Sequence, residues 1–472
     1  VKTKSCLHVL FSLLVSLLLF SAFFYNLVRE GFKTLLERNA TLESLGLLAV
    51  PGTGFLGEIG TMDILKSSLF FVVALGVLIL TFQALAVLIK NRAGRAAYLF
   101  IGLIGILFLL YNDRILIHFF LITVLSMTTF YLITLDVHVK VSARDGLTLL
   151  VLGCAISGSL FLGARKDFFL KARDFVFMDT ALGSGIVTYY YKYSPLAASV
   201  LTPAMYNYQG ILFDEKFQTL PFKDIGNGLI LTGNKAVEKK ADYRLVIEGG
   251  QPLLKNRFGD TVVISSPKKK DLIRALHELF ALKGFRRFNT IGLYALPACI
   301  IFLAFLYLRM ITPKRGIFVG FAFFLGIAII LFVTIISLQG NSYPSAKDSE
   351  ILGDKELALG VAYNLNDKKE IPERYYPLVS GMAASDSTAL RYWGAKLLMR
   401  SAGDPKRFEV LKGLLSDPSP NVRYTAALSL GGILKSESFE SLIPLLLKDP
   451  NWYVRCMVFS VFRKYGVTPR LA

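Results

Sequence analysis

Arg391, Arg423 and Arg455 stand 32 residues apart, and each follows an aspartate, Asp386, Asp417 or Asp449, by five or six positions. A mark that returns at a fixed period identifies a supersecondary unit that has been copied. Around each mark an apolar run leads into an Asp-containing turn, and the arginine then opens a second apolar run. Phe408 to Leu415 precedes Asp417-Pro418, and Phe439 to Leu447 precedes Asp449-Pro450. The pattern predicts helix pairs joined by tight turns. Ala395, Ala426 and Ala427 are small enough to let neighbouring helices approach closely, and Pro405 suits the first turn of a helix. One such pair cannot bury its apolar face alone, so copies must stack.

The segments Asp417-Pro418-Ser419-Pro420-Asn421-Val422-Arg423 and Asp449-Pro450-Asn451-Trp452-Tyr453-Val454-Arg455 resemble the HEAT family, in particular its short bacterial variety related to phycobilisome-lyase repeats. The resemblance covers residues 373–466 and implies an α-solenoid used as a docking surface, with no catalytic residues to carry over. The copy around Arg391 lacks the Asp-Pro step, and Leu359 stands where an earlier arginine would fall. About three repeats behind a degenerate entry cap are therefore expected. Arg391, Asp417, Arg423, Asp449 and Arg455 are expected to hold the stack by pairing between adjacent units. Tyr424, Trp452 and Tyr453 are candidate contact anchors, because aromatic side chains dominate interface energetics; packing within the core or turns is the alternative.

Ahead of the repeats the chain is of another kind. Hydrophobic residues make up 54% of the sequence and charged ones 18%, and the apolar residues come in long blocks. Seven runs approach the length that crosses a bilayer: 6–27, 67–89, 96–111, 115–135, 146–163, 289–308 and 316–338. The expected fold class is mainly α: a polytopic helical membrane protein of about seven transmembrane helices, with a small α/β extramembrane insert and the C-terminal solenoid. The domains read as 1–163 (five spans), 164–288 (insert), 289–338 (two spans), 339–372 (linker and cap) and 373–472 (repeats). The first run reads as a signal anchor, and Val1 as the trace of a non-standard start codon in a prokaryote.

Short basic loops resist translocation, so 90–95 is placed in the cytoplasm. Alternation puts Lys2, Lys4, 137–144 and Lys314-Arg315 beside it. The insert and the repeats then fall in the periplasm, although Arg165, Lys166, Lys171, Arg173, Lys283, Arg286 and Arg287 oppose that orientation.

Within the insert, 243–248 and 261–265 read as strands and 228–232 as a possible third. Ser266-Pro267 then caps a helix through Leu282 that stops at Gly284, burying Leu272, Ala275, Leu276 and Leu279. Residues 175–213 are apolar and aromatic but broken by Gly183, Gly185, Pro195, Pro203 and Gly210. Such a segment is expected to lie at a membrane interface, not to span it. Arg173, Asp174, Asp179, Tyr189, Tyr190, Tyr191 and Tyr193 form the candidate lipid or substrate interface; an amphipathic collar is the plainer account. Lys268, Lys269 and Lys270 open a helix, where the macrodipole disfavours cations, and are candidates for an anionic partner or a solvated face.

The span centres hold no Asp, Glu, Lys, Arg or His, which argues against ion-coupled transport. Cys6, Cys154, Cys299 and Cys456 and the four scattered histidines offer neither a disulfide framework nor metal-ligand spacing. No catalytic, cofactor or metal residues are assigned. The net charge of +19 is assigned to topogenic loops and anionic lipid, and nucleic acid is not expected as a partner. Membrane lipids and other proteins of a membrane or periplasmic complex are the expected partners. The function that follows is non-enzymatic scaffolding in a prokaryotic inner membrane; the competing one is a lipid- or polymer-handling enzyme or permease under the tyrosine-rich segment.

Overall fold

The computed structural model describes residues 2–50, 56–109, 116–135, 173–201, 210–218, 223–226, 229–256, 259–265, 268–279, 288–292, 295–296, 299–300, 302–304, 348–404 and 406–465. It falls into two compact units: Val1–Gly31, Thr61–Phe168 and Phe280–Ser337 form one, and Phe32–Gly60, Phe169–Leu279 and Leu338–Ala472 the other.

In the first unit, α1 (Lys2–Ser44) is one 43-residue helix that outruns its apolar stretch and contributes its last turns to the second unit. Helix α2 (Thr61–Phe71) passes through a π turn, Val72–Gly76, into α3 (Val77–Ala86). Helices α4 (Arg92–Leu109) and α5 (Leu116–Ile133) follow. Phenylalanines bind these helices together: the Phe24 and Phe71 rings lie 5.7 Å apart, and Phe23 and Phe119 5.4 Å. Gln83 Nε2 donates to Ser126 Oγ at 2.5 Å, which satisfies part of a buried amide between helices.

Two described helices, Leu7–Ser44 and Thr61–Ala86, are long and apolar enough to cross a membrane, and Ile117–Ile133 is a shorter apolar helix. Seven spans are not supported. The third run lies in α4, whose start carries Arg92 and Arg95; the fifth and seventh runs lie outside the described residues, as does much of the sixth. Arg95 also departs from the picture of a solvated basic loop. It is 1% exposed, and its guanidinium donates to the carbonyls of Thr134 and Ile89, closing the ends of α5 and α3.

The second unit contains a six-stranded mixed sheet, β1 (Gly210–Asp214), β2 (Lys223–Gly226), β3 (Leu229–Thr232), β4 (Tyr243–Glu248), β5 (Gln251–Asn256) and β6 (Thr261–Val263), in the order β2-β3-β1-β4-β5-β6. β1 is parallel to β3 and β4, and the other pairs are antiparallel. Glu248 pairs with Gln251, so Gly249 and Gly250 form a two-residue turn with φ +60° and +78°. Both angles positive is what a type I′ hairpin turn requires. Helix α7 (Lys269–Leu279) lays Leu272, Ala275, Leu276 and Leu279 on Leu212, Leu229, Leu254 and Ile264. This is the buried face expected of it, while the Ser266-Pro267 cap and the Gly284 stop lie outside the described residues. At the sheet's start Arg38, from the end of α1, holds Asp242 by two hydrogen bonds of 3.1 Å, and Asp242 Oδ2 also accepts from the Ile211 amide.

The same unit holds the solenoid. A short entry pair, α8 (Asp348–Gly353) and α9 (Lys355–Asn366), is followed by three pairs: α10 (Tyr376–Ala383) with α11 (Thr388–Leu398), α12 (Arg407–Leu414) with α13 (Pro420–Leu434), and α14 (Phe439–Lys448) with α15 (Trp452–Lys464). The second helices α9, α11, α13 and α15 stack in sequence. Leu359 of α9 is fully buried where an arginine would fall in a later repeat. Between α10 and α11 the approach is close enough that a Cβ on Gly394 would meet the Ala383 backbone at 2.5 Å.

Candidate interaction surface

The arginine series forms a ladder. Arg391 Nε donates to Asp417 Oδ2 at 2.7 Å and Nη2 to Oδ1 at 3.3 Å; Arg423 repeats the pair on Asp449 at 2.7 and 3.0 Å. Each guanidinium therefore reaches the turn of the following repeat in the planar fork geometry that suits a carboxylate. It also grips its own turn: Arg391 Nη1 donates to the Ser385 and Asp386 carbonyls, and Arg423 Nη1 to those of Asp417 and Pro418. Each aspartate in turn accepts the amide two residues on, from Ser419 and Asn451, at 2.8 Å. Arg455 occupies the third position, is 8% exposed, and donates from Nε to the Leu446 carbonyl. The ladder is thus structural, and its aspartates are buried.

The segment after residue 172 lies on this array. A π turn, Arg173–Phe177, leads into helix α6 (Ala181–Leu201), which continues through Gly183, Gly185 and Pro195. Asp174 is fully buried. Its Oδ2 accepts from Trp393 Nε1 at 2.6 Å and from the Tyr363 hydroxyl at 3.1 Å, and its Oδ1 accepts from Arg173 Nε at 2.8 Å. Arg173 in turn stacks over the Tyr392 ring at 4.3 Å. Burial pushes the Asp174 carboxyl above its ordinary value, opposed by the Arg173 charge and by the Trp393, Arg173 and Tyr363 donors. For Arg173 burial is the largest influence and works against the charge, but the Asp174 carboxylate together with Tyr392, Tyr191 and Tyr424 outweighs it and holds the guanidinium above its usual range. The two directions describe one buried pair: the carboxylate charges at a cost set by burial, and once charged it secures the guanidinium's proton.

Asp179 forms a second contact. It accepts from the Ser387 hydroxyl at 2.6 Å and the Thr388 amide at 2.7 Å, and it pairs with Lys355 Nζ at 2.6 Å. A carboxylate there caps the start of α11 and meets the positive end of its dipole. Burial works to raise its pKa, but Lys355, Ser387 and the Ala389 amide together hold it below the ordinary carboxylate value. Farther along α6 the Tyr191 ring lies 5.9 Å from Tyr424 and 4.9 Å from Tyr453, which are themselves 5.1 Å apart. Tyr191 and Tyr424 are each 8% exposed, and burial holds the Tyr424 phenol well above its ordinary value.

Every array residue in these aromatic contacts belongs to a second helix: Tyr363 to α9, Trp393 to α11, Tyr424 to α13, Tyr453 to α15. Between α6 and the starts of α11 and α13 remains a cavity of about 170 Å³, lined among others by Ser184, Thr188, Thr388, Ser419 and Asn421. The Asn421 side-chain amide is fully buried there and makes no hydrogen bond among the described residues.

These placements bring several residues singled out in the sequence onto the repeats. Arg173, Asp174, Asp179 and Tyr191, named there as a candidate lipid or substrate interface, make their described contacts with the solenoid, where the Trp393 and Tyr363 donors satisfy the buried Asp174 carboxylate. Tyr193 is buried, its ring tilted against that of Tyr189 at 4.8 Å, while Tyr190 is half exposed. Trp452 is buried and so is Tyr424, so neither ring stands free as an anchor; Tyr453 is partly buried. Lys268 and Lys270 are exposed at the start of α7, where Asp271 supplies the acid its dipole favours; the side chain of Lys269 lies outside the described residues. Sequence reasoning missed Lys355, Tyr363, Ser387 and Trp393. The available signal was the pair Ser387 and Trp393, a cap residue and a buried indole that needs a partner for its N–H.

Residues 376–460 match the family described as HEAT repeats. Comparison with curated proteins returned no match, and comparison with solved structures returned none.

Proposed function

We propose that the chain is a non-enzymatic, multi-pass protein of a prokaryotic cytoplasmic membrane that presents its HEAT array, with the α/β unit, as a scaffold for other proteins of a membrane complex. The proposed topology keeps the N-terminus in the cytoplasm and the insert and repeats in the periplasm. What carries this reading is the occupation of the array's second-helix side by residues 173–191 of the same chain. A repeat surface filled in cis acts as a mount, which leaves α10, α12 and α14 to meet a partner. On α14, Ile443 and Leu447 are 44% and 47% exposed, one turn apart on one face. The oxygens of Asp174 and Asp179 are committed to the array, which weighs against the competing lipid- or polymer-handling chemistry at those carboxylates.

Purification of the full chain from its native membrane in mild detergent tests the reading. Defined companions in fixed stoichiometry are expected, and they should be lost from Ile443→Ser/Leu447→Ser while the folded chain is retained. A solitary protein would sink the scaffold. A periplasm-dependent reporter fused after Gly466 tests the orientation, and silence there would reverse it.

A further inference from the structure

Helix α6 is two-sided. Ser184, Val187 and Thr188 line the cavity against the array, and Tyr191 packs on Tyr424 and Tyr453. Leu182 lies nine residues before Tyr191, which is two and a half helical turns at 3.6 residues per turn and therefore the opposite side. Leu182 is 79% exposed, and Ile186 and Tyr190, following at intervals of four, are 48% and 51% exposed. An apolar stripe on a helix whose other side is already anchored has a fixed direction in space.

From this arrangement, and resting on the membrane reading above, we propose that the Leu182, Ile186 and Tyr190 face of α6 lies in the headgroup region of the lipid bilayer, so that the helix joins the HEAT array to the membrane surface. Three features of the chain select lipid as the occupant. Helix α6 begins 18 residues after the apolar run that ends at Gly163, and the intervening sequence carries Arg165, Lys166 and Lys171 against Asp167, beyond the paired Arg173 and Asp174 and the array-bound Asp179, a net positive charge that suits anionic headgroups. The stripe ends in a tyrosine whose ring is half exposed, an apolar body with a polar tip, as interfacial positions favour. The stripe is also short and uncharged, and it occupies the first three turns of a helix whose later residues Tyr193, Leu196 and Ala197 are buried. That is the footprint of a shallow surface contact and not of a span.

The test uses the full chain with its four native cysteines replaced by serine, reconstituted in vesicles of phosphatidylethanolamine and phosphatidylglycerol. Single cysteines at Leu182, Ile186 or Tyr190, and at exposed Ser436 in the array as reference, carry a fluorophore that lipid-borne nitroxide and aqueous iodide quench separately. The expected result is nitroxide quenching several-fold above the Ser436 label at all three positions, with iodide quenching reduced. Three outcomes overturn the proposal: quenching equal to that at Ser436, meaning a stripe in water; protection from both quenchers, meaning a protein cover, including other helices of this chain; or lipid quenching as strong as that of a label at Val73, 43% exposed in the apolar stretch Thr61–Ala86, meaning a spanning helix. Flotation after carbonate extraction separates the two ideas. A chain that floats with water-exposed labels defeats only the role of α6, whereas a chain that fails to float defeats the membrane reading beneath it. The double variant Leu182→Ser/Ile186→Ser should still float.

Discussion

The arginine ladder and the contact made by residues 173–191 hold the same solenoid by opposite designs. The ladder repeats one solution at two successive steps: Arg391 to Asp417 and Arg423 to Asp449, each pair 26 residues apart, each with the same fork and the same grip on its own turn. The α6 contact is made once. Asp174 meets Trp393 across 219 residues of chain, and Asp179 meets Thr388 across 209. A periodic device sets the rise from repeat to repeat, while a unique one sets which segment is carried on it.

The largest effect that could break this contrast is expected from Asp174→Ala. It strands a buried guanidinium and leaves the indole N–H of Trp393 without an acceptor, and the loss of stability should be about 3–5 kcal/mol, read by chemical denaturation of the full chain. Hydrogen exchange should rise over α6 before it rises over α13. Simultaneous loss of the whole array would show that the two designs are one cooperative system. Asp417→Ala and Asp449→Ala should each cost about 3 kcal/mol, and by nearly equal amounts, because the rungs are copies. Unequal losses would mean that the ladder is not periodic in energy.

Asp179→Asn keeps an acceptor for the α11 cap and removes the charge that Lys355 meets, so a smaller loss, about 1 kcal/mol, is expected in the same assay. The smallest effect is an acid one. The folded pKa of Asp179 is depressed, so its contribution is present above the ordinary carboxylate value and is lost as the pH falls through the folded value. Stability should therefore decline below about pH 4, and the part due to Asp179 should vanish from Asp179→Asn. An unchanged acid limb would mean that other carboxylates govern it.

The same contrast explains what could be read from the chain. The solenoid was legible because period, turn and arginine recur, and a recurring error is improbable. Helix α7 was legible because Leu272, Ala275, Leu276 and Leu279 follow helical spacing. β4 is legible to the residue, whereas its partner β5 is not, although Gly249-Gly250 is itself a hairpin turn, because Pro252 and Lys255 interrupt the alternation on which strand recognition leans. Helix α6 was hidden by Gly183, Gly185 and Pro195, whose local preferences yield to the packing of Tyr191. The roles of Asp174 and Asp179 could not be read locally. A carboxylate's partner two hundred residues away leaves no period to count.

The order of synthesis gives the α6 contact a temporal cost. Tyr191 leaves the ribosome 262 residues ahead of Tyr453, which at elongation rates of about 5–20 residues per second is roughly 10 to 50 s. Asp174 waits 219 residues for Trp393, and Tyr191 waits until the last helix emerges, so through most of that interval the nascent segment has no array to settle on. A slow codon stretch or a stall between α7 and α10 would lengthen this exposure without altering a single native contact.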